Sequence, residues 1–526
     1  MVKKFFLLFR TVRYLKVRQI VYQVYYRLKP LKTLTHYKKN RIRFFLLKFS
    51  IQYTTPNSYK EKNSFIFLNQ LHLFPKEILW DFMDYGKLWN YNLQYFNFLH
   101  QKGLIKAVKD DLLCDINKWL ETGQLRLEPY PVSLRVINTI RYLSLSGANN
   151  NGTIIADIYA QLNYLYSHLE YHLLGNHLLE NAFALLMGGE AFEENKWTKK
   201  AKSILYKELD EQILNDGGHF ELSFMYHQII LFRVLELIDW YSQSKEPDLK
   251  FLNFVKRKAV AMLNYLKSVG FKNGDISHFN DSAPGIGFTS QELFAFAQQL
   301  KLPEPKVIPL RESGYRKFGN ENYECILDAG SIAPSYQPGH SHADSFSFVL
   351  HYHHVPFIVD VGISTYEKGD IRNYERSTKA HNTVEIENEN QSEVWGGFRV
   401  GRRANVKIIN ETDSAITASH DGYKSLFNAI HKRGFYFEPN SVRLVDVIKN
   451  SKTVDGKSYL HFHPDCKVEE KHGRFMINNV AEISFINANR TDLESYKFAL
   501  GYNLYQEAKV LVAEFHISIE TLITFV

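Results

Sequence analysis

The chain has 526 residues, of which 45% are hydrophobic and 23% are charged. That composition is typical of a globular protein and excludes an intrinsically disordered one, and the length predicts two large domains rather than one core. The cysteines, Cys114, Cys325 and Cys466, are odd in number and far apart. This spacing argues against a disulfide framework and fits a reducing compartment.

Charge is concentrated at the start of the chain. The first 60 residues carry 15 Lys and Arg and no Asp or Glu, whereas the whole chain carries only +8, so the remaining residues sum to −7. We therefore predict a basic arm over residues 1–60. Its first 48 residues could contact an anionic membrane or an anionic polymer; the alternative is a solvated helical face folded onto the body. Nucleic acid is not expected as a partner, since no reading motif accompanies the charge.

The opening residues, MVKKFFLLFRTVRYLKVRQ, imitate a signal peptide only briefly, because their apolar run ends at Arg10 and no small-residue cleavage site follows. No run approaches the roughly 20 apolar residues that a membrane-spanning helix requires. We expect a cytoplasmic protein with peripheral contact at the inner face of the membrane.

Between residues 100 and 300 the apolar spacing predicts helices. The expected bounds are 103–121, 132–146, 153–169, 177–188, 197–214, 223–243, 250–268 and 290–300. After KLPEPKVIPL, alternating segments predict strands: ECILDAG, SFSFVLHY, FIVDVG, NVKIIN, AITASH, SVRLVDVI, SYLHFH and AEISFINA. The boundary lies near residue 305, which predicts a helical domain over 61–304 and an antiparallel β domain over 305–526.

The stretch YQPGHSHADSFSFVLHYHHVPFIVDVG holds five histidines within fifteen positions. If residues 340–348 form a strand, His340, His342 and Asp344 share one face. A returning strand would bring Asp360 towards them, and RSTKAHNTVEI offers His381. Two imidazoles and a carboxylate suit a zinc-like ion. The alternative is a hydrogen-bonded polar rim of the sheet.

Two predicted helices of the first domain begin with polar pairs. Asn176 and His177 open one helix, where an asparagine is commonly an N-cap. Tyr226 and His227 open another, where a core tyrosine is the ordinary interpretation. Arg135 lies within an apolar helix, so we expect it to meet an acidic partner or an anionic ligand.

Seven collinear segments between about residues 85 and 404 resemble the heparinase II/III family of polysaccharide lyases. They are LWNYNLQYFNFL, PYPVSLRVINTI, GNHLLENAFALL, DGGHFELSFMYHQI, QPGHSHADSFSF, VDVGISTY and RSTKAHNTVEIENENQSEVWGGFRVGRRA. The resemblance implies an α+β two-domain fold. Its parts are an N-terminal (α/α) toroid, which is an incomplete helical barrel, and a C-terminal antiparallel β-sandwich, with a site in the cleft between them.

The resemblance also implies roles for individual residues. Asn176, Tyr226 and His340 are the expected catalytic residues, with Asn176 neutralising a uronate carboxylate. His342, Asp360 and His381 are the expected ligands of a structural divalent metal, most simply zinc. The expected substrate-binding residues are His177, Arg135, His227 and Arg376. No nucleotide or redox cofactor is expected.

These residue types suit β-elimination on a uronate-containing acidic glycan. Such a reaction removes a poorly acidic C5 proton and stabilises the enolate that develops. A lyase linked to bacterial surface-polysaccharide metabolism is the leading hypothesis. A uronyl C5-epimerase acting on a growing or lipid-linked polysaccharide uses the same enolate, and a non-catalytic glycan-binding protein is a third alternative. Two departures from the family pattern, the missing export signal and the merely similar ELSFMYH wording, leave the substrate open.

Overall fold

A computed structural model describes residues 2–39, 42–147, 152–449 and 454–526 of the chain. The helices within these residues are α1 (Val2–Val12), α2 (Val17–Leu28), α3 (Lys87–Tyr95), α4 (Lys106–Thr122), α5 (Pro129–Ser146), α6 (Gly152–Ser167), α7 (Gly175–Ala191), α8 (Asn195–Gln212), α9 (Phe224–Tyr241), α10 (Leu249–Val269), α11 (Ser290–Gln299), α12 (Asp370–Glu375) and α13 (Lys424–Phe427). None of them combines the length and the apolar character needed to cross a membrane.

The helices predicted between residues 100 and 300 are confirmed as α4 to α11, with ends shifted by three residues or fewer. Helix α7 packs against α5 and α8, and α9 packs against α10 and α11. Their inward faces form one hydrophobic cluster with Trp80, which precedes α3, Trp89 of α3 and Trp197 of α8, and these are among the largest fully buried side chains. Burial of these rings anchors the helices against one another.

The strands are β1 (Ser64–Phe67), β2 (Gln70–Leu73), β3 (Tyr315–Gly319), β4 (Tyr323–Asp328), β5 (Phe348–Tyr352), β6 (Val355–Ile358), β7 (Val384–Ile386), β8 (Val394–Trp395), β9 (Arg399–Val400), β10 (Val406–Thr412), β11 (Ala415–His420), β12 (Ile430–Glu438), β13 (Ser441–Lys449), β14 (Gly456–His461), β15 (Val468–Lys471), β16 (Arg474–Ile477), β17 (Ala481–Ile486), β18 (Arg490–Gly501), β19 (Leu504–Phe515) and β20 (Ser518–Phe525). Each predicted segment overlaps one of these strands, although FIVDVG does so only at Phe357 and Ile358, because β6 ends at Ile358. The α+β two-domain fold is thus confirmed.

Three larger antiparallel sheets and the two-stranded β8-β9 pair build the second region. The largest has eight strands in the order β10-β11-β12-β13-β20-β17-β16-β15, and two four-stranded sheets run β18-β19-β14-β7 and β3-β4-β5-β6. In β13 every second residue is buried, from Val442 to Ile448, as expected for a strand with one face on a core. One hydrophobic cluster joins side chains from all three sheets.

Strand β4 is buried on both faces and joins the two regions. Cys325 and Leu327 belong to the cluster between the sheets. Ile326, on the opposite face, packs with Phe224 and Tyr265 from the helical region. Since side chains alternate along a strand, β4 contributes to both cores at once and holds the helical region against the β region.

The predicted strand through residues 340–347 is not formed, because β5 begins only at Phe348. The backbone of this segment is hydrogen-bonded to other parts of the protein: His342 N–H donates to Asn280 Oδ1 and Ala343 N–H donates to the Arg376 carbonyl. Phe346 adopts a left-handed conformation with φ 69°. Alternation along a strand therefore does not position His340 and His342. Asp360 likewise lies beyond the end of β6.

Candidate active site

Asn176 lies in the first turn of α7, at the junction between the two regions. The chain enters this helix through Leu174 and Gly175, which both have positive φ. A Cβ on Gly175 would lie 2.2 Å from Gln337 Oε1 and 2.7 Å from Glu221 Oε1, so a larger residue would displace these two side chains, and the positive φ also favours glycine. The N-cap position belongs to Leu174, and the N-cap interpretation of Asn176 is therefore wrong.

Tyr226 lies in the first turn of α9, where the Ser223 hydroxyl caps the helix by accepting the Tyr226 N–H. The Tyr226 ring centroid is 4.1 Å from that of His340, and its hydroxyl lies 3.3 Å from the hydroxyl of Tyr366. Burial first, and then the neighbouring Tyr502, raise the pKa of Tyr226 well above 10. The phenol is therefore protonated at neutral pH and can donate.

Asp281 organises the two histidines of the His-x-His pair. Its fully buried carboxylate accepts hydrogen bonds from His340 Nδ1 and His342 Nε2, each at 2.8 Å, and from the guanidinium of Arg372. Burial alone would raise the pKa of Asp281, but Arg372 and the two histidines hold it well below 3.8. Because the carboxylate only accepts, His340 carries its proton on Nδ1 and presents the lone pair of Nε2.

Glu221 bridges Asn176 and His340. One carboxylate oxygen accepts the Asn176 backbone N–H at 3.3 Å, and the other lies 3.8 Å from His340 Nε2. Burial raises the pKa of Glu221 above its usual value. Three buried oxygens in this corner, Asn176 Oδ1, Glu221 Oε2 and Gln337 Oε1, have no hydrogen-bond partner among the described residues. Such a cluster would accept hydrogen bonds from hydroxyl groups of a ligand.

Sequence reasoning missed Asp281 and Glu221. A usable signal was present, because Asp281 is the single Asp, Glu, Lys or Arg between Asp275 and Glu292, and Glu221 is the single one between Asp216 and Arg233. An isolated carboxylate in such surroundings needs a specific partner.

The four predicted substrate-binding residues separate into two groups. His177 is partly exposed, and its ring lies 4.2 Å from that of Tyr130 while Nδ1 is 3.1 Å from a Glu170 oxygen. Arg135, His227 and Arg376 are all 1% exposed. His177 alone among the four presents a partly open side chain.

The buried three already have protein partners. Arg135 donates to Gln161 Oε1 and to the Gln94 carbonyl, which are both neutral, so the predicted acidic partner is wrong. His227 is hydrogen-bonded at both ring nitrogens, to the His219 N–H and the Met262 carbonyl. Arg376 donates to the carbonyls of Ser341 and Gly397. These contacts occupy the groups that a substrate would need.

The predicted metal ligands form two histidine–carboxylate pairs. His342 donates to Asp281, and His381 Nδ1 donates to Asp360 Oδ2 at 2.7 Å. The two imidazole rings are 5.3 Å apart, and His342 Nδ1 and His381 Nε2 are buried without a hydrogen bond. Two such nitrogens on carboxylate-oriented rings fit a zinc-like ion.

The third predicted ligand does not complete the set. Asp360 supports His381, and among the residues described no group of three His, Cys, Asp or Glu side chains has metal-binding spacing. Asp344 Oδ2 is a further buried oxygen without a partner, and burial raises the pKa of Asp344 to about 6. The zinc site therefore stays a prediction.

The fold and the site together define a class: a two-domain protein whose helical and β regions meet at a Tyr–His–Asp arrangement beside a buried amide. Family comparison agrees with this class. Residues 152–298 match the model described as heparinase II/III N-terminus, and residues 303–522 match the heparinase II/III-like C-terminal model. The chain belongs to the heparinase II/III family.

The curated relatives include a heparin-sulfate lyase of Bacteroides stercoris, 26% identical over an alignment of 323 positions that covers 56% of this chain and 46% of that protein. A heparin-sulfate lyase of Pedobacter heparinus is 26% identical over an alignment of 261 positions that covers 44% of this chain and 38% of that protein. The present chain thus matches less than half the length of these relatives.

Solved structures share the fold. A crystal structure of heparinase III superimposes with a TM-score of 0.67 at 16% identity, covering 94% of this chain and 88% of that one. A mutant of the heparan sulfate lyase HepC from Pedobacter heparinus superimposes with a TM-score of 0.59 at 19% identity, covering 88% and 81%. At these identities the likeness concerns the fold alone.

Proposed function

We propose that the protein is a polysaccharide lyase that cleaves a uronate-containing acidic glycan by β-elimination. The observation that carries this proposal is the contact between Tyr226 and His340, which lie 4.1 Å apart between ring centroids. One ring comes from the helical region and the other from the β region. A protonated phenol beside an imidazole with a free lone pair supplies an acid and a base at one point.

In the proposed reaction, His340 Nε2 removes the C5 proton of the uronate. The electron pair of the broken C5–H bond forms the C4=C5 double bond, and the C4–O bond breaks. Tyr226 donates its proton to the departing oxygen, which becomes a free hydroxyl. His340 then returns the proton to Tyr226 and restores both residues. The products are a shortened chain and a 4,5-unsaturated uronate.

The negative charge that develops on the enolate needs stabilisation, because the C5 proton is only weakly acidic. The Asn176 backbone N–H donates to Glu221, and the other Glu221 oxygen lies 3.8 Å from His340 Nε2. The Asn176 amide can donate to the uronate carboxylate. Donors fixed in a buried site stabilise an enolate more strongly than water does.

The Tyr226–His340 contact favours elimination over C5-epimerisation. We expect a sugar bound against this contact to meet both groups on one face, so that proton removal and protonation of the leaving oxygen occur on the same side. An epimerase would need an acid on the opposite face to reprotonate C5. We further propose that the glycan belongs to bacterial surface-polysaccharide metabolism.

The test is incubation of the purified chain with heparin, heparan sulfate and unsulfated uronate polymers. Ultraviolet absorbance of the unsaturated uronate should rise with at least one of them. His340→Ala should abolish the signal, and His516→Ala, which removes a half-exposed imidazole from the β region, should not. Absence of absorbance with every polymer, from a folded protein, would contradict the proposal.

A further inference from the structure

Helix α2 turns its apolar side chains outward. One face of the helix carries five residues, here called the apolar stripe, that are 43–79% exposed: Val17, Ile20, Val21, Val24 and Leu28. Their spacing of three and four residues places them in one row. Leu31, just beyond the helix, is 71% exposed. A helix that only packs on a soluble protein turns such a row towards the core.

The polar and aromatic face of α2 is directed towards the body instead. Gln19 is 3% exposed, and its side-chain amide donates to the Leu173 carbonyl. The Tyr26 hydroxyl donates to the Leu169 carbonyl, and the Tyr22 ring lies 4.8 Å from that of Tyr171. The helix is therefore held in place, and the outward direction of the apolar stripe is fixed by these contacts.

Several basic residues of the arm are neutralised by the body. Ion pairs join Arg10 to Glu393, Lys16 to Glu211, Lys38 to Glu121 and Asp157, and Lys39 to Glu194. These pairs fix the arm to the protein, in agreement with the expectation of a helical face folded onto the body. The basic side chains in these pairs are therefore not available to bind another molecule.

Other cations of the arm remain available. Arg13, Arg27 and Lys32 are exposed and form no ion pair within the part of the chain that the structure describes. No acidic residue occurs anywhere in the first 60 positions. An apolar row flanked by unpaired cations and free of carboxylates complements an anionic bilayer, in which lipid headgroups are negative and the region beneath them is apolar.

The length of α2 decides how it would lie. Its 12 residues span about 18 Å at ~1.5 Å per residue, well short of the ~30 Å hydrocarbon core. The helix can therefore rest in the plane of the interface, with its outward row entering below the headgroups.

We propose that α2 docks this protein on the surface of an anionic membrane. The apolar stripe enters the interface, and Arg13, Arg27 and Lys32 contact acidic headgroups. Helix α1, which precedes α2 in the arm, reaches the β region, since Trp395 Nε1 donates to Thr11 Oγ1.

The experiment is flotation of the full chain with vesicles of phosphatidylcholine, alone or mixed with phosphatidylglycerol. The chain should float with the mixed vesicles at least tenfold better than with phosphatidylcholine alone. Val24→Asp and Leu28→Asp should each lower the bound fraction at least tenfold. Val307→Asp is the matched control, because Val307 is 75% exposed outside the arm, and it should float as the unmodified chain does.

Circular dichroism and thermal melting check that every variant is folded, and Leu28→Ser serves where an aspartate lowers the melting temperature. Arg13→Ala combined with Arg27→Ala should remove the preference for the mixed vesicles. Flotation of Val24→Asp and Leu28→Asp at the unmodified level would overturn the proposal. The proposal would also be overturned if the chain bound no vesicles and formed a dimer that Leu28→Asp dissociates. In that case a second copy of the chain would cover α2. None of these results depends on lyase activity.

Discussion

Asp281 is the residue on which the geometry of the candidate active site depends. Its carboxylate fixes the proton of His340 on Nδ1, and it also holds His342 and Arg372. Without it, the His340 ring could rotate or exchange tautomers, and Nε2 would no longer be the lone-pair nitrogen beside Tyr226. Asp281 touches no substrate in the proposed reaction and is therefore a positioning residue.

Asp281→Asn should reduce turnover and also stability, with a defined pH dependence. Because the folded pKa of Asp281 lies well below its usual value of 3.8, its contribution to stability is present above pH 3.8 and is lost as the pH falls towards the folded pKa. The gap in melting temperature between the unmodified chain and Asp281→Asn should therefore shrink below about pH 4. A gap that stayed constant or widened on acidification would contradict the assignment.

Tyr226→Phe keeps the ring against His340 and removes the proton that the leaving oxygen receives. We expect turnover to fall by a factor on the order of 10² or more, with an unchanged melting temperature. Tyr166→Phe makes the same chemical change on a tyrosine that is 38% exposed in the helical region and should leave the rate unaltered. Full activity of Tyr226→Phe on a cleaved polymer would exclude Tyr226 as the acid.

The family resemblance predicted Asn176, Tyr226 and His340 as members of one site. In the structure Asn176 contacts Glu221, and His340 contacts Asp281 and the Tyr226 ring. Arg135, His227 and Arg376 are buried with protein partners that the motifs did not reveal. A charge inside an apolar helix is visible in a sequence, but the neutral acceptors that satisfy it are not. For Arg135 those acceptors come from α6 and α3, and no local pattern links them.

At the scale of elements, helices α4 to α11 and the strands of the β region follow from periodicity, because each buries one face. The segment 340–347 does not follow from it. Its alternating residues imitate a strand, yet its backbone donors bind Asn280 and the Arg376 carbonyl. Arg433 of β12 further fixes the segment by donating to the Phe346 carbonyl. These are long-range contacts that alternation cannot reveal.

A buried carboxylate in strand β13 stabilises the β region. Its inward row includes Asp446, which is fully buried and binds Arg433 and His431, each at 2.7 Å. Burial opposes ionisation, but Arg433 lowers the pKa of Asp446 to about 2. Asp446→Ala leaves the Arg433 charge buried and unpaired, so the free energy of unfolding should fall by about 3–5 kcal/mol in denaturant titrations. Asp413→Ala, in the exposed turn between β10 and β11, is the control and should change it little.

The zinc prediction is supported by two ring nitrogens, His342 Nδ1 and His381 Nε2, which are buried without a hydrogen bond on two neighbouring loops. If an ion is bound, elemental analysis should find about one zinc per chain, and a chelator should lower the melting temperature. His342→Ala should then lose the metal and melt earlier, whereas His516→Ala should behave as the unmodified chain. A metal-free protein that is indifferent to chelators would leave the two imidazoles as hydrogen-bonded partners of Asp281 and Asp360.

At the scale of the whole molecule, the site exists only where the two regions meet. Tyr226 and Asn176 come from helix starts of the first region, while His340 and Tyr366 come from loops of the second. Strand β4 joins the regions through both of its faces. The order of helices before sheets was readable from the sequence. The contact between Tyr226 and His340 was implied by the family resemblance alone, since they are 114 positions apart in the chain.

The most direct test of the proposed reaction is mass spectrometry of the products formed from a uronate polymer in deuterated water. Elimination should yield new ends that are lighter by one water than hydrolysis products, with an unsaturated uronate at each cleavage. Tyr226→Phe and His340→Ala should yield none. Hydrated ends, or deuterium entering C5 of an uncleaved polymer, would contradict β-elimination and would indicate hydrolysis or epimerisation instead.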